Sequence, residues 1–328
     1  MRRNSSQLRG SKDADSLRVQ GGDGSATSAE DSRRPRARQL GRFGVVPVVP
    51  IALLLMLLVL PAALPGLLAP ADPNTVNLSG GFKPPAFAGG DWGNILGTDE
   101  LGRDVFSRLV YGARVSALLA LAVIALSSVL GTGLGVVAGY MGGWVDSIVM
   151  RAADAFFSLP LVLMAIALGT LVGPSYAITV GVMVMALWGE YARLTRGETL
   201  TLRQRDFVRY AQVTGVGHAT IMWRHIRPNV QNSVTVMASL HVGWAILVEA
   251  GLSFIGVGVP PPTPAWGSMI AEGRVVLVQA WWVSAAPGVV IMLVVLSINL
   301  LGDWLRDRFD PRLQPVLGVS AVELPDVG

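Results

Sequence analysis

The chain has 328 residues, of which 52% are hydrophobic and only 15% are charged. So little charge favours a protein embedded in a membrane over a soluble domain. The absence of cysteine excludes disulfides, thiolate zinc sites and iron–sulfur clusters. The formal net charge is +4, but the basic residues stand beside apolar runs, and this placement disfavours a nucleic-acid-binding protein.

Long stretches of the sequence contain no Asp, Glu, Lys or Arg. Each is longer than the roughly 20 residues that an α-helix needs to cross the hydrocarbon core of a bilayer. The stretch between Asp154 and Glu190 has room for two short spans, with Gly173-Pro174-Ser175 as the expected turn between them. We therefore expect an all-α membrane protein with six transmembrane helices. The charge-free stretches lie between Arg42 and Asp72, Arg114 and Asp146, Asp154 and Glu190, Arg227 and Glu249, and Arg274 and Asp303.

The chain begins with a polar sequence that predicts a disordered cytoplasmic leader over residues 1–42. Residues 43–71 form the first predicted transmembrane helix. A cleaved signal peptide is the alternative for this segment, but its apolar run of about 25 residues is longer than a signal peptide uses, so we expect it to stay uncleaved.

The polar segment over residues 72–113 is predicted to be extracytoplasmic. Near its end apolar residues recur at helical spacing, which predicts an interfacial helix leading into the second span. Residues 114–304 then form a five-helix membrane core that includes a connecting loop over 192–230, and residues 305–328 form a cytoplasmic tail. The apolar residues of the interfacial helix are Val105, Phe106, Leu109, Val110 and Ala113.

Glycine recurs near the inner end of the second predicted span and predicts close packing against another helix. These glycines are Gly131, Gly133, Gly135 and Gly139.

The distribution of basic residues predicts the orientation in the membrane. With a cytoplasmic N-terminus, only five of the 26 Lys and Arg residues lie in the outer segments, and the other 21 lie inside. The positive-inside rule prefers this orientation, which places both termini in the cytoplasm. The five outer residues are Lys83, Arg103, Arg108, Arg114 and Arg274.

The loop over residues 192–230 is basic and much longer than a simple turn between two helices. Asp206 is an N-cap candidate for a short helix that ends before Gly215 and Gly217. A second helical piece begins near Ala219 and is expected to stop at Pro228. Two short helices joined at a glycine break make a protruding elbow that is expected to bind a partner.

The elbow resembles the coupling loop of the binding-protein-dependent ABC importer permeases. The family pattern is Glu-Ala-Ala, three residues, Gly, about nine residues, and then Ile-x-x-Pro or Leu-Pro. The corresponding residues here are Arg209-Tyr210-Ala211, Gly215 and Ile226-Arg227-Pro228-Asn229, so the first two positions depart from the pattern.

Further motifs resemble the dipeptide/oligopeptide/nickel branch of this family, and more narrowly its "C" permease. The resemblance covers nearly everything from the first span to Leu313. The motifs are Gly97-Thr98-Asp99, Gly102-Arg103-Asp104, Gly139-Tyr140, Gly142-Gly143-Trp144-Val145-Asp146, Ser158-Leu159-Pro160, Glu249-Ala250-Gly251-Leu252-Ser253-Phe254, Ala265-Trp266-Gly267 and Asn299-Leu300-Leu301-Gly302-Asp303.

The resemblance implies one permease of a heterodimeric pore in the bacterial plasma (inner) membrane, importing peptides. It implies a second permease, two ATPase subunits or a fused ATPase, and an extracytoplasmic substrate-binding protein as partners. ATP and Mg would be bound by the ATPases, and this chain would bind no cofactor. The residues implied in coupling to the ATPases are Asp206, Arg209, Tyr210, Ala211, Gly215, Arg224, Ile226, Pro228 and Asn229.

The chain itself lacks the features of an ATPase. A P-loop needs a lysine in a glycine-rich turn, and neither Lys12 nor Lys83 stands in one. No nucleophile, base and acid set is visible, so an intramembrane enzyme is disfavoured. The histidines, two of them on the elbow, have no second ligand at helical spacing, which disfavours a metal site.

Glu249 is the one carboxylate inside a predicted span, and burial there makes it either a pore residue or a structural acid. Two alternatives to a peptide importer stay open. The first is the same kind of permease for nickel or another small solute. The second is a secondary transporter driven by an ion gradient, which would favour inverted repeats and several buried charges.

Overall fold

The computed structural model describes residues 47–309, so the predicted leader and most of the predicted tail lie outside the described residues. The regular secondary structure of the described part is helical, as expected for the all-α class, with one isolated bridge between Thr98 and Asp104. The helices are α1 (Val48–Ala63), α2 (Pro65–Leu68), α3 (Val105–Met141), α4 (Gly143–Phe157), α5 (Leu161–Val172), α6 (Tyr176–Leu202), α7 (Asp206–Val213), α8 (His218–Phe254), α9 (Trp266–Val275) and α10 (Trp282–Phe309).

Four of these helices, α3, α6, α8 and α10, are long and apolar enough to cross a membrane. The bent pair α4–α5 makes a fifth crossing if it is counted as one span. α1 is apolar but short, and the predicted first span begins ahead of the described residues. The structure of residues 47–309 therefore shows four or five spans, and the count of six stays a prediction.

The predicted turn at residues 173–175 is confirmed. Gly173 follows α5 with a φ of 95°, and the Ser175 hydroxyl caps α6 by accepting a hydrogen bond from the Ile178 N–H. The preceding segment is less regular than predicted, because α4 and α5 meet at 82° across a break that includes Pro160. Proline lacks an N–H and disfavours helical backbone in the residue before it, which favours a helix end at this point.

The most extensive helix–helix contact joins α3 and α6. Gly131, Gly135 and Gly139 recur every four residues and therefore share one face of α3. A Cβ at Gly135 would stand 2.4 Å from the Ala192 carbonyl oxygen, and added carbons at Gly131 and Gly139 would meet the α6 backbone at 2.3 and 2.9 Å. The predicted close packing is confirmed at these three glycines. Gly133 lies off this face, with no neighbouring atom closer than 4.0 Å.

The predicted interfacial helix is instead the first part of α3, which runs on without a break. Val105 and Ala113 are fully buried, so this apolar surface packs in the core of the protein and not on a bilayer. The start of the helix is fixed by Asp104, whose carboxylate accepts a hydrogen bond from the Ser107 N–H at 2.8 Å.

The predicted loop over residues 192–230 is mostly helical. α6 continues to Leu202, and α7 covers Asp206–Val213, where the first helical piece was predicted. Asp206 is the first helical residue and Arg205 is the N-cap, so the capping role predicted for Asp206 is wrong. Its carboxylate still lies in the first turn, where negative charge favours the helix.

The predicted helix stop at Pro228 is also wrong, because α8 runs unbroken from His218 to Phe254. A wide π turn over Ile221–Ile226 lies directly ahead of the proline. Local π geometry absorbs the missing N–H and the ring of a proline within a helix. The second half of the elbow is therefore the beginning of the long helix α8.

Candidate functional site

The elbow, defined here as residues 206–226, is fixed to α3 through a small apolar cluster. Val208 and Ala211 of α7 pack with Ile221 and Ile226 of α8. On the α3 side the cluster contains Val136 and Tyr140. All six are buried, so α7 and the start of α8 move with the end of α3 unless this cluster opens.

Gly215 allows the chain to turn sharply between the two helices. Its φ is +77°, a conformation that residues with a Cβ rarely adopt. The Gly215 N–H donates to the Gln212 carbonyl, and the Val216 N–H donates to the Ala211 carbonyl. This pair of hydrogen bonds is the Schellman arrangement, which ends a helix and satisfies its last carbonyls.

Tyr140 also links the elbow to α3 by polar contacts. Its hydroxyl lies 2.9 Å from His218 Nδ1 and accepts a hydrogen bond from Gln212 Nε2 at 3.3 Å. The Arg203 guanidinium lies 5.9 Å from the centroid of the Tyr140 ring. One side chain of α3 therefore contacts both arms of the elbow and the segment that leads into it.

The opposite side of α7 is exposed and apolar. Phe207, Tyr210 and Val213 are 42%, 72% and 85% exposed, and their spacing of three places them along one side of the helix. Arg209 is exposed beside them. Large apolar side chains rarely cluster on a surface that stays open to water, so this side of α7 is suited to a protein partner.

The other predicted coupling residues are divided between the two surfaces. Ala211 and Ile226 are buried in the cluster with α3, whereas Arg224 and Pro228 are exposed. Asn229 is exposed, and its side-chain amide donates to the His225 carbonyl at 2.5 Å within α8. The nine residues thus lie in one region, but only some of them are free to contact another chain.

Glu249 is fully buried between α8 and α3. Its carboxylate accepts hydrogen bonds from the Ser116 hydroxyl at 2.9 Å and from the Ser253 hydroxyl at 2.8 Å. The Ser253 oxygen in turn accepts a hydrogen bond from the Val259 N–H at 3.3 Å. Each carboxylate oxygen has a partner within this subunit, an arrangement that holds α3, α8 and the following loop together.

A second polar group within the spans was missed by the sequence analysis. Glu190 of α6 and His241 of α8 form a pair, with 3.2 Å between the Glu190 Oε2 and His241 Nε2 atoms. The His241 Nδ1 atom lies 3.2 Å from the hydroxyl of the buried Tyr191. Glu190 borders a charge-free stretch in the sequence, and the extension of α6 to Leu202 is what places it in mid-helix. Among the described residues no group of three or more His, Asp or Glu side chains could hold a metal ion.

An ion-pair cluster at the start of α3 was also missed. Arg108 and Asp99 are each 2% exposed, and the Arg108 Nη1 atom lies 2.6 Å from both Asp99 Oδ2 and Glu272 Oε2. Arg103 also contacts both acids, at 2.7 and 2.9 Å. Two arginines thus neutralise two acids, one of which belongs to α9. The cluster, Asp99, Arg103, Arg108 and Glu272, joins the segment before α3 to α9.

Motifs that are far apart in the sequence meet beside this cluster. The Trp266 indole N–H donates to the Leu109 carbonyl at 3.0 Å, and the Trp282 indole N–H donates to the Thr98 carbonyl at 3.1 Å. A Cβ at Gly267 would lie 2.0 Å from a backbone oxygen of α8, so only glycine fits there. The Gly97-Thr98-Asp99 and Ala265-Trp266-Gly267 motifs therefore serve one packed junction.

The described residues thus form a helical membrane protein with a partly exposed apolar elbow between two of its spans. The chain belongs to the family described as the inner membrane component of binding-protein-dependent transport systems, whose model matches residues 131–315. This range contains the elbow, Glu190 and Glu249. The protein is therefore a multi-pass inner-membrane permease subunit of an ATP-driven importer. It is not itself an enzyme, because the ATPase of such systems is a separate subunit.

Curated relatives match most of this chain. It is 40% identical over 75% of its length to a di/tripeptide transport system permease protein of Pseudomonas aeruginosa, 82% of which is covered. It is 38% identical to a dipeptide transport system permease protein of Haemophilus influenzae, over 75% of this chain and 84% of the relative. It is 42% identical to a glutathione transport system permease protein of Pectobacterium atrosepticum, over 67% and 73%.

Proposed function

We propose that this permease forms half of the pore of an importer for di- or oligopeptides. The relatives carry this proposal, because they are named as permeases for di- and tripeptides, dipeptides or glutathione, which is itself a modified tripeptide. The other half of the pore is a second permease, and an extracytoplasmic binding protein delivers the peptide. Two ATPase subunits, or one fused ATPase, bind the ATP and Mg that drive transport.

The elbow is the proposed contact with an ATPase. Phe207, Tyr210 and Val213 supply an apolar surface, with the basic side chains of Arg209 and Arg224 nearby. The opposite side of α7 is packed on α3, and the second arm of the elbow continues directly into α8. A displacement of α7 would therefore be transmitted to both α3 and α8.

This contact implies an orientation. The ATPases are cytoplasmic, so the elbow lies on the cytoplasmic side, as the positive-inside rule predicts. The ion-pair cluster and α9 then lie on the outer side, where the binding protein docks. Both termini are cytoplasmic in this orientation, and the proposed span count is six.

Purification from native membranes through a tag on this chain tests the proposed contact. Wild type is expected to retain the ATPases and the second permease. Val213→Asp places a charge in the exposed apolar surface without touching the buried cluster, and is expected to lose the ATPases but keep the second permease. Val278→Asp is the matched control, because Val278 is 98% exposed and lies at the other end of the helices.

Two results would contradict the proposal. If wild type purifies without an ATPase, the proposal of an ATP-driven importer is rejected, and a transporter driven by an ion gradient becomes the better explanation. If Val213→Asp retains the ATPases as well as Val278→Asp does, the exposed side of α7 is not the contact. Uptake by the reconstituted importer of a labelled dipeptide, glutathione and nickel, measured separately, then distinguishes the cargo classes.

A further inference from the structure

Glu190 lies within the long helix α6, three residues before Arg193, and its side chain is 43% exposed. It lies 14 residues after Tyr176, the first residue of α6, which corresponds to about 21 Å along the helix axis. Its partner His241 lies 13 residues before the end of α8, at about 20 Å by the same rise. Counted from these helix ends, both side chains fall within the roughly 30 Å that the hydrocarbon core covers.

An exposed carboxylate at this depth cannot face lipid. A charged side chain in the hydrocarbon region costs several kcal/mol, and such residues face the interior of a bundle or a water-filled cavity. Glu249, by contrast, is enclosed within the protein, where its two carboxylate oxygens accept hydrogen bonds from two serine hydroxyls. Glu190 is half open instead, so the surface of α6 and α8 around it faces water or another chain.

The groups around Glu190 hold its partner His241 in a fixed position. His241 is only 15% exposed and is held by the buried Tyr191 hydroxyl, with the Tyr191 and Trp244 rings at 5.4 and 6.2 Å from the imidazole. This support fixes the imidazole against one carboxylate oxygen. Only one oxygen of the Glu190 carboxylate contacts His241, and the exposed part of the carboxylate is free to bind a cation that arrives and leaves.

We infer that Glu190 lies on the translocation path and binds the α-ammonium group of the peptide as it passes. The inference rests on the proposed peptide cargo. The α-ammonium is common to every peptide with a free N-terminus, so one carboxylate recognises the class without reading side chains. A carboxylate suits an ammonium, because ion pairing and a charge-assisted hydrogen bond act together.

The test compares two cargoes in the complete importer, reconstituted with its binding protein, second permease and ATPases. A labelled dipeptide and its N-acetylated form differ only in the ammonium, and the measured quantity is the ratio of their uptake rates. Any preference of the binding protein is the same for every variant and cancels when ratios are compared. Glu198→Gln is the matched control, because Glu198 is a partly exposed acid on the same helix, two turns further on.

Glu190→Gln is expected to lower the uptake ratio roughly tenfold, as the loss of one charge-assisted hydrogen bond would do, while Glu198→Gln leaves it unchanged. An unchanged ratio in Glu190→Gln overturns the inference and leaves the proposed function intact. Wild type that imports neither dipeptide overturns both. If Glu190→Gln does not assemble with its partners, Glu190→Asp replaces it. The shorter carboxylate is expected to lower the uptake ratio by less than tenfold, and a ratio equal to that of wild type overturns the inference.

The absence of cysteine allows an independent measurement of access, because any labelled thiol in this chain is the one introduced. Glu190→Cys is expected to react with a water-soluble methanethiosulfonate reagent, because this position is expected to face water. Leu121→Cys, at a 61% exposed apolar position of α3, is the control and is expected to react slowly. A Glu190→Cys thiol that reacts no faster than the thiol of Leu121→Cys overturns the inference.

Discussion

Replacing Gly135 by alanine tests how closely α3 and α6 are packed. The added carbon would lie 2.4 Å from the Ala192 carbonyl oxygen and 2.0 Å from the Thr195 hydroxyl oxygen. Both distances are far inside van der Waals contact, and the carbonyl belongs to the α6 backbone, so the helices must move apart. Overpacking of this kind costs about 1–3 kcal/mol, of which the better helix propensity of alanine returns up to about 1 kcal/mol. We expect a net loss of about 1 kcal/mol.

Gly133→Ala is the matched control, because it makes the same change two residues away on the same helix. Its added carbon meets nothing closer than 4.0 Å, so only the gain in helix propensity remains, about 0.5–1 kcal/mol. Both variants would be purified in one detergent and unfolded by SDS titration, with tryptophan fluorescence as the readout. The two midpoints should move in opposite directions. Equal shifts for the two variants would refute the proposed close packing.

Three further predictions use the same titration or limited proteolysis. Glu249→Ala leaves two buried serine hydroxyls without their acceptor and should lose about 1–3 kcal/mol, whereas Glu249→Gln, which retains an acceptor, should lose less; equal losses would contradict this. Arg108→Met leaves the buried Asp99 with less compensation and should lose about 3 kcal/mol, against about 0.5 kcal/mol or less for the exposed Arg151→Met. Tyr140→Phe removes the hydroxyl that contacts both arms of the elbow. Because a hydrogen bond contributes roughly 1 kcal/mol, tryptic cleavage of the elbow should rise about fivefold. An unchanged cleavage rate would show that the apolar cluster alone holds the elbow.

Features set by local backbone chemistry could be predicted from the sequence. The turn at residues 173–175, the α7 helix and the sharp bend at Gly215 each depend on a glycine or proline that acts on its immediate neighbours. The packing role of the α3 glycines was also predictable, because a small residue every four positions marks a face of close approach. The helix that packs there, α6, could not be named from the pattern.

Features that depend on contacts between distant segments could not be predicted. The ion-pair cluster joins Arg108 to Glu272 across 164 residues, and Glu190 meets a histidine from another helix. No spacing rule along one helix reports such pairs. The predicted helix stop at Pro228 was wrong for a related reason. The general rule that proline stops a helix does not take account of a π turn that accommodates the proline.

The polar groups of α8 suggest how the proposed coupling could reach the pore. The helix begins in the elbow, carries His241 near its middle, and carries Glu249 near the other end. A displacement of the elbow that turned α8 against α6 would change the distance between His241 and Glu190, because these residues belong to different helices. The same turn would be opposed at Glu249, which is hydrogen-bonded to Ser116 of α3. In the proposed mechanism an ATPase displaces the elbow, Glu249 holds the far end of α8 to α3, and the proposed Glu190 site lies between these two points.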